Sequence, residues 1–117
     1  MKSFLDSYAL VEIANGNSAY AKYLDGECCT SVFNLLEFAY YLVKAGVDRE
    51  KLGFFFKYRV EVDDGWLVEA AEFRHRNRKR DISYADAIGY MAALKTGSIF
   101  LTGDSAFKDI PHVEFVK

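Results

Sequence analysis

The chain has 117 residues, of which 51% are hydrophobic and 16% aromatic, and its formal net charge is −2. These values exclude a disordered tail and predict one globular domain over residues 1–117. The longest apolar runs fall far short of the roughly 18 residues of a membrane span, and the first residues lack the apolar core of a secretion signal. We therefore expect a cytoplasmic protein that does not insert into a membrane.

Positive charge is concentrated in one short segment. Residues 1–73 carry 7 Lys and Arg against 12 Asp and Glu, and residues 81–117 carry 3 against 5. The run between them, "RHRNRKR" (Arg74–Arg80), holds 5 Lys and Arg and no acid. Such a run is either an anion-binding surface or a solvated helix end whose cations complement the helix dipole. On charge alone, the second interpretation is the more common.

The N-terminal residues predict a strand followed by two helices. An apolar run at Lys2–Leu5 predicts the strand, and the following segment, "SYALVEIANG", has helical character and ends at Gly16. Asn17 or Ser18 can then cap a short helix that extends to Leu24.

A second strand and a long helix come next. The strand is predicted at "GECCTS", and the helix at "SVFNLLEFAYYLVKAG", ending at Gly46. A further helix, "DREKLGFFFKYR", opens at Asp48. The apolar residues of the long helix recur at spacings of three and four, and they are Val32, Leu35, Leu36, Ala39, Leu42 and Val43.

The second half of the chain predicts three more strands. They are expected at "VEV", "SIFLT" and "HVEFV". One helix between them, "DGWLVEAAEFRHRNRK", has Trp66, Ala70 and Phe73 on one face, and another runs from Ser83 to Gly97. Strands that alternate with helices predict an α/β fold with a mostly parallel sheet covered on both faces.

Cysteine and histidine offer no metal-binding pattern. Cys28 and Cys29 are adjacent in sequence, so they lack the spacing of a zinc site and are expected to be small buried hydrophobic residues in a reducing compartment. His75 and His112 have no ligand spacing between them. A zinc protein is therefore not predicted.

Four carboxylates fall where predicted strands end or helices begin. Asp6 directly follows the first strand, and Asp104 follows "SIFLT" after one glycine. Glu37 lies in the first turns of the helix after the second strand, and Asp86 lies in the first turn of the helix that leads into "SIFLT". Ligands of open α/β sheets bind in the crevice beyond the carboxyl ends of the strands.

Three of these acids also have structural explanations. Asp6 can cap the next helix, Asp104 can occupy a Gly-Asp turn, and Asp86 completes a "SYAD" capping box. Taken singly, each is more often structural than functional. Glu37 is harder to explain in this way, because it interrupts an apolar helix where an unpaired carboxylate is unfavourable.

Four carboxylates at one edge of a sheet would repel each other unless a cation neutralised them. A hard divalent cation such as Mg²⁺ prefers oxygen ligands. The sequence therefore predicts a divalent metal site.

The segments that carry these acids resemble those of PIN-domain proteins, in particular the small VapC-type toxin nucleases. The matching segments are "FLDSY" with Asp6, "SVFNLLEFAYYL" with Glu37, "ISYADAIGYMAAL" with Asp86, and "FLTGDSAF" with Asp104 and Phe107. They occur in the order of the family and extend over the length of the chain.

The resemblance implies a three-layer α/β/α fold with a mostly parallel sheet of about five strands. It also implies an endoribonuclease that depends on Mg²⁺ or Mn²⁺ and leaves a 5′-phosphate and a 3′-hydroxyl, the toxin of a pair with a small antitoxin. Asp6, Glu37, Asp86 and Asp104 would form the metal-binding and catalytic quartet. Ser7 and Thr102 occupy positions where the family commonly has a hydroxyl near the metal. Asn34 shares a helix face with Glu37 and could hydrogen-bond the site.

An acidic site needs cations elsewhere in order to hold RNA, which makes the binding interpretation of the basic run as plausible as the structural one. The expected RNA contacts are Arg74, Arg76, Arg78, Lys79 and Arg80. The segment "LGFFFKY" (Leu52–Tyr58) could form a homodimer face, although core packing is the more common use of Phe.

Other functions fit the sequence less well. Phosphatases with an aspartyl nucleophile usually have a second acid two residues after the first, where this chain has Tyr8. A nucleotide-binding Rossmann domain needs a glycine-rich turn that "DSYALVE" lacks. The main alternative is a non-catalytic PIN-like module that binds RNA or a protein.

Overall fold

The computed structural model describes residues 2–117 and contains one parallel sheet. The strand order across the sheet is β2-β1-β3-β4, and each neighbouring pair is parallel. The carboxyl ends of all four strands therefore lie at the same edge. The strands are β1 (Lys2–Leu5), β2 (Glu27–Cys29), β3 (Ile99–Thr102) and β4 (Val113–Phe115).

Within residues 2–117 the sheet has four strands, so the prediction of about five is one too many. The segment predicted as a strand, residues 60–62, follows an isolated bridge between Thr30 and Arg59. Thr30 N–H donates to the Tyr58 carbonyl and Val60 N–H donates to the Thr30 carbonyl. The chain then turns into a helix at Gly65, so this contact remains a single bridge.

Residues 2–117 form six α-helices, which are α1 (Ser7–Ala14), α2 (Ser18–Ala21), α3 (Val32–Ala45), α4 (Glu50–Gly53), α5 (Gly65–Arg76) and α6 (Tyr84–Lys95). Four short 3₁₀ segments accompany them, at Lys22–Asp25, Phe56–Tyr58, Arg78–Arg80 and Ser105–Phe107. The segment opening at Asp48, predicted as one helix, is instead the single turn α4 followed by the second of these. No helix within residues 2–117 has the length and hydrophobicity needed to cross a bilayer.

Helices cover both faces of the sheet. Phe4 and Phe100 point to the face packed by α5 and α6, whereas Leu5 and Leu101 point to the face packed by α1 and α3. Neighbouring residues of a strand point to opposite faces, so one apolar pair in β1 and one in β3 contribute to both cores. The predicted three-layer α/β/α arrangement is confirmed.

The long helix α3 buries only part of the apolar stripe predicted from the sequence. Leu35, Phe38 and Leu42 enter the core, whereas Leu36 and Val43 are 67% and 57% exposed. Two overlapping apolar stripes run along this helix, and periodicity alone cannot distinguish them. The observed orientation buries Asn34 and leaves Glu37 in a cleft at the sheet edge.

Helix α6 is buried almost all round. Every residue from 85 to 93 is shielded from solvent, because α6 packs against the sheet, α3 and α5. Its first turn carries Asp86, which is 6% exposed. The fold therefore places a carboxylate inside the protein.

The two cysteines form no disulfide. Cys29 is buried and Cys28 is half-buried, and both are free thiols. Their predicted role as small packing residues is consistent with these positions.

Candidate active site

Asp6 lies at the carboxyl end of β1 and is completely buried. Its Oδ1 accepts a hydrogen bond from Ala9 N–H at 2.8 Å, which caps α1. Its Oδ2 is buried and has no hydrogen-bond partner within residues 2–117. Burial raises the pKa of Asp6 well above its ordinary value, and the nearby charge of Asp86 raises it further. Capping therefore accounts for only one of its two oxygens.

Asp86 is held in the first turn of α6. Its backbone N–H donates to Ser83 Oγ at 3.0 Å, so Ser83 caps the helix as predicted. The Asp86 carboxylate turns toward Asn34 Nδ2, which donates to its Oδ1 at 3.2 Å. Burial raises the pKa of Asp86 to about 7, and the charges of Glu37 and Asp104 act in the same direction.

Asn34 is the centre of a network that joins α1, α3 and α6. It is fully buried, and its Nδ2 donates to Ser7 Oγ at 3.1 Å as well as to Asp86. The Ser7 hydroxyl in turn donates to Glu37 Oε1 at 2.6 Å. On the other side, Ser31 Oγ donates to Asn34 Oδ1 at 2.7 Å. One amide thus orients two of the four candidate acids.

Two glycines make room for these side chains, and sequence reasoning did not identify them. A Cβ atom on Gly89 would lie 2.8 Å from Asn34 Oδ1 and 2.9 Å from the ring of Phe4. A Cβ atom on Gly103 would collide with the ring of Tyr8 and with the Val116 carbonyl. Their positions in the sequence could have indicated this role, because Gly103 is next to Asp104 and Gly89 lies one helical turn after Asp86. At both positions the close approach of neighbouring groups excludes a side chain.

Asp104 follows β3 and begins a 3₁₀ turn. Its Oδ1 accepts from Ala106 N–H at 3.0 Å, and its own N–H donates to Thr102 Oγ1 at 3.0 Å. The turn role predicted for Asp104 is therefore present. Thr102 is buried, and its hydroxyl partly offsets the rise in the pKa of Asp6. Both hydroxyl residues named from the sequence thus lie beside acids of the quartet.

A cavity of about 570 Å³ opens over the acids. Glu37, Asp86 and Asp104 line it, and Asp6 lies close enough to Asp86 and Asp104 for their charges to act on it. The four acids therefore share one end of the sheet. The cavity continues between α1 and α3 along residues that sequence reasoning did not identify, which are Tyr8, Val11, Glu12, Leu36, Tyr40 and Tyr41.

The donor set suits a hard cation. It consists of carboxylate oxygens, and within residues 2–117 the buried Asp6 Oδ2 has no hydrogen-bond partner. Burial, together with the charges of neighbouring acids, raises the pKa values of Asp6 and Asp86. In the positions that the side chains occupy within residues 2–117, no three His, Cys, Asp or Glu side chains are close enough to hold one ion. A cation that bridges the quartet would thus require these side chains to shift.

A sequence profile described as PIN domain matches residues 3–113. The chain belongs to the PIN domain family. No curated protein sequence matches this PIN protein significantly.

Solved structures share its fold. VapBC2 from Rickettsia felis, bound to a DNA fragment from their promoter, has a TM-score of 0.75 and 19% identity, with 99% of this PIN chain and 98% of that chain covered. A toxin-antitoxin complex from Klebsiella pneumoniae has a TM-score of 0.74 and 17% identity, with 97% and 96% covered. VapC20 from Mycobacterium tuberculosis, a toxin that cleaves the sarcin-ricin loop, has a TM-score of 0.68 and 20% identity, with 92% and 91% covered.

The cations of the basic run of this PIN domain have different partners. Arg74 Nε donates to the Ile82 carbonyl at 2.8 Å, and its guanidinium lies 4.0 Å from the centre of the Tyr84 ring. Arg76 lines one cavity with Glu69 and another together with Arg80. Arg78 donates to the carbonyl of His75, and Lys79 is exposed.

Arg80 differs from the rest of the run because it lines a cavity together with Asp104. The structure thus brings one of the five predicted RNA contacts next to the candidate acids.

The aromatic segment Leu52–Tyr58 is divided between core and surface. Phe55 is 1% exposed and belongs to the core on the α3 side of the sheet. Phe54 and Phe56 are 49% and 54% exposed. Core packing therefore explains one of the three phenylalanines.

Proposed function

We propose that this PIN domain is a metal-dependent endoribonuclease that hydrolyses phosphodiester bonds of RNA. The observation that carries the proposal is the gathering of Asp6, Glu37, Asp86 and Asp104 at one sheet edge, with a buried oxygen of Asp6 that has no hydrogen-bond partner among residues 2–117. Burying charged groups that repel each other destabilises the folded state. Such an arrangement is consistent with a site that is maintained for function.

Asp6, Glu37, Asp86 and Asp104 would hold Mg²⁺ or Mn²⁺. When bound, such an ion stabilises negative charge on a phosphate and makes water a better nucleophile. Asn34 would orient the Asp86 carboxylate, and the Ser7 hydroxyl would do the same for Glu37. The Thr102 hydroxyl would hold Asp104 in place by accepting a hydrogen bond from the Asp104 backbone N–H. Cleavage would leave a 5′-phosphate and a 3′-hydroxyl.

We further propose that the protein is the toxin of a toxin–antitoxin pair. Two of the three structural neighbours are toxin-antitoxin assemblies and the third is a toxin, and each covers more than nine-tenths of this chain. The partner would be a small antitoxin protein. The exposed Phe54 and Phe56 would contribute to a homodimer face.

RNA cleavage is tested with purified protein, single-stranded RNA and Mn²⁺, with and without EDTA. We expect cutting that EDTA removes and that is lost in Asp6→Asn. The matched control is Asp25→Asn, which changes an exposed carboxylate outside the site and should cut normally. Tight RNA binding without cutting would favour the non-catalytic binding module instead.

The toxin role is tested in cells. Induced expression should arrest growth, Asp6→Asn should not, and co-expression of the protein encoded by the adjacent reading frame should restore growth. Growth arrest by Asp6→Asn equal to that of the wild type would contradict the role.

A further inference from the structure

We propose that Arg80 is the residue that binds the phosphate next to the scissile one in the RNA strand. This inference rests on the proposed ribonuclease function. It assigns the RNA phosphate contact, which the sequence suggested for the basic run as a whole, to one side chain. It makes Arg80 a substrate-positioning residue, distinct in role from its four cationic neighbours.

The Arg80 guanidinium is held in place from one side. Its Nη1 donates to the Ala106 carbonyl at 3.2 Å and to the Lys108 carbonyl at 2.9 Å. A guanidinium has five N–H donors, and Nη1 carries two of them. The edge formed by Nε and Nη2 keeps three donors, and this is the edge that binds a phosphate through two parallel hydrogen bonds.

The anchoring carbonyls belong to the turn that begins at Asp104. Ala106 N–H is the donor that Asp104 Oδ1 accepts, so the same short turn fixes both the acid and the arginine. A cavity of about 320 Å³ lies between them, lined by Arg80, Asp81, Asp104, Ser105 and Ala106. Asp104 also lines the larger cavity over the quartet, so the two cavities adjoin at this residue.

Arg80 is not neutralised by an ion pair. The one salt bridge found among residues 2–117 joins Lys95 to Glu69, although Asp81 and Asp104 line the same cavity as Arg80. An exposed arginine that is anchored but not ion-paired remains free to bind an anion. When a divalent cation neutralises Asp104, the cavity becomes more favourable for a phosphate group.

The neighbouring cations lack this combination of features. Arg74 stacks on Tyr84 and donates to Ile82, and Arg76 faces the acids of another cavity. Arg76 lines a further cavity together with Arg80 but does not border Asp104. Because it has the same charge and is also exposed, Arg76 provides a matched control for the proximity to Asp104.

The first experiment compares RNA substrates that are cleaved at a single site and contain one uncharged methylphosphonate linkage at successive positions. For the wild type, kcat/KM should fall about 10-fold when the linkage replaces one phosphate flanking the scissile one, which corresponds to one charge-assisted hydrogen-bond contact. Arg80→Gln should be about 10-fold slower on unmodified RNA and should show no further loss at that linkage. Arg76→Gln should respond to every linkage as the wild type does.

The second experiment measures RNA affinity without cleavage, by fluorescence anisotropy of labelled single-stranded RNA in the Asp6→Asn background. Adding Arg80→Gln should weaken binding about 10-fold. It should also reduce the slope of log Kd against log salt by about 0.7, the value for one phosphate contact on a single strand. Adding Arg76→Gln should change neither quantity by a comparable amount.

These readouts separate phosphate binding from a purely structural role in the Asp104 turn. A structural role would slow Arg80→Gln on every substrate and leave its sensitivity to the neutral linkage unchanged, and that result would overturn the inference. Cleavage by the wild type together with equal behaviour of Arg80→Gln and Arg76→Gln would overturn it while leaving the ribonuclease proposal intact. Failure of the wild type to cut RNA with either Mg²⁺ or Mn²⁺ would overturn both.

Discussion

Asn34 Nδ2 donates a hydrogen bond to Asp86 Oδ1 at 3.2 Å and so joins α3 to the first turn of α6, across 52 positions of sequence. The same nitrogen donates to Ser7 Oγ, which donates to Glu37. A neutral amide is well suited to this position, because it stabilises the charge on Asp86 without occupying the cavity that the acids surround.

Replacing Asn34 by Ala should therefore impair the site. Asp86 and Ser7 lose a donor in a buried environment, which should lower the free energy of unfolding by about 1–3 kcal/mol. RNA cleavage should fall at least about 10-fold because Asp86 and Glu37 lose their orientation. Thermal unfolding and initial cleavage rates measure the two effects. Asn15→Ala, which removes an exposed hydrogen bond to Tyr41, is the control, and equal effects of the two variants would contradict the role of Asn34.

The raised pKa of Asp86 predicts how the stability of the metal-free protein depends on pH. Its value of about 7 in the folded protein exceeds the ordinary 3.8, so the folded state binds more protons than the unfolded state between about pH 4 and pH 7. Stability should therefore fall as pH rises through this window and level off above it. Asp6, whose pKa is also raised by burial, contributes with the same sign.

Asp86→Asn should reduce this dependence. At pH 8 without metal, the variant should be more stable than the wild type, by no more than about 4 kcal/mol, and its unfolding midpoint should rise by several degrees. Thermal unfolding at a series of pH values in EDTA measures the difference. A wild-type protein that is as stable at pH 8 as at pH 5 would show that burial and neighbouring charges do not raise the pKa of Asp86 as the structure indicates.

A divalent cation should relieve the same repulsion. Mg²⁺ or Mn²⁺ should raise the unfolding midpoint of the wild type at pH 8, and saturation at 100 times the dissociation constant corresponds to about 2.7 kcal/mol. Asp6→Asn and Asp86→Asn should lose most of this stabilisation, whereas Asp25→Asn should retain it. The measurement requires no RNA, so it tests the metal site separately from cleavage. Equal stabilisation of all four proteins would place the ion elsewhere.

Much of this site follows from chain topology. Asp6 directly follows β1, and Asp104 follows β3 after one glycine. Because neighbouring parallel strands end at one edge, the proximity of these two acids could be predicted from the order of elements alone. The two faces of the sheet were equally predictable, since β1 and β3 each carry adjacent apolar residues such as Phe4 and Leu5.

Other features depend on tertiary packing that local patterns do not encode. Residues 60–62 have a strand-like composition, but they form no strand, because the chain makes a single bridge at Arg59 and then turns into α5 at Gly65. The buried face of α3 is decided by its neighbours, since Leu36 is as apolar as Leu35 and yet is exposed. The bond between Asn34 and Asp86 likewise requires α3 and α6 to be in contact.

That contact depends on Gly89, and its replacement by Ala gives a sharp test of the packing. In a helix, Gly→Ala ordinarily stabilises by about 1 kcal/mol. Here the new Cβ would lie 2.8 Å from Asn34 Oδ1 and 2.9 Å from the Phe4 ring, so both groups must move. Overpacking of this kind should outweigh the helix preference and destabilise the protein by about 1–3 kcal/mol.

The displacement of Asn34 should also reduce cleavage, because Asp86 would lose its donor. Gly53→Ala is the matched control, since a Cβ at that position in α4 would meet nothing within 4 Å. It should be neutral or slightly stabilising and should leave cleavage unchanged. Thermal unfolding measures the stability of the two variants, and initial cleavage rates measure their activity. If Gly89→Ala is as stable and as active as Gly53→Ala, α6 can move away from Asn34 without cost, and the network around Asn34 does not hold the acids in place.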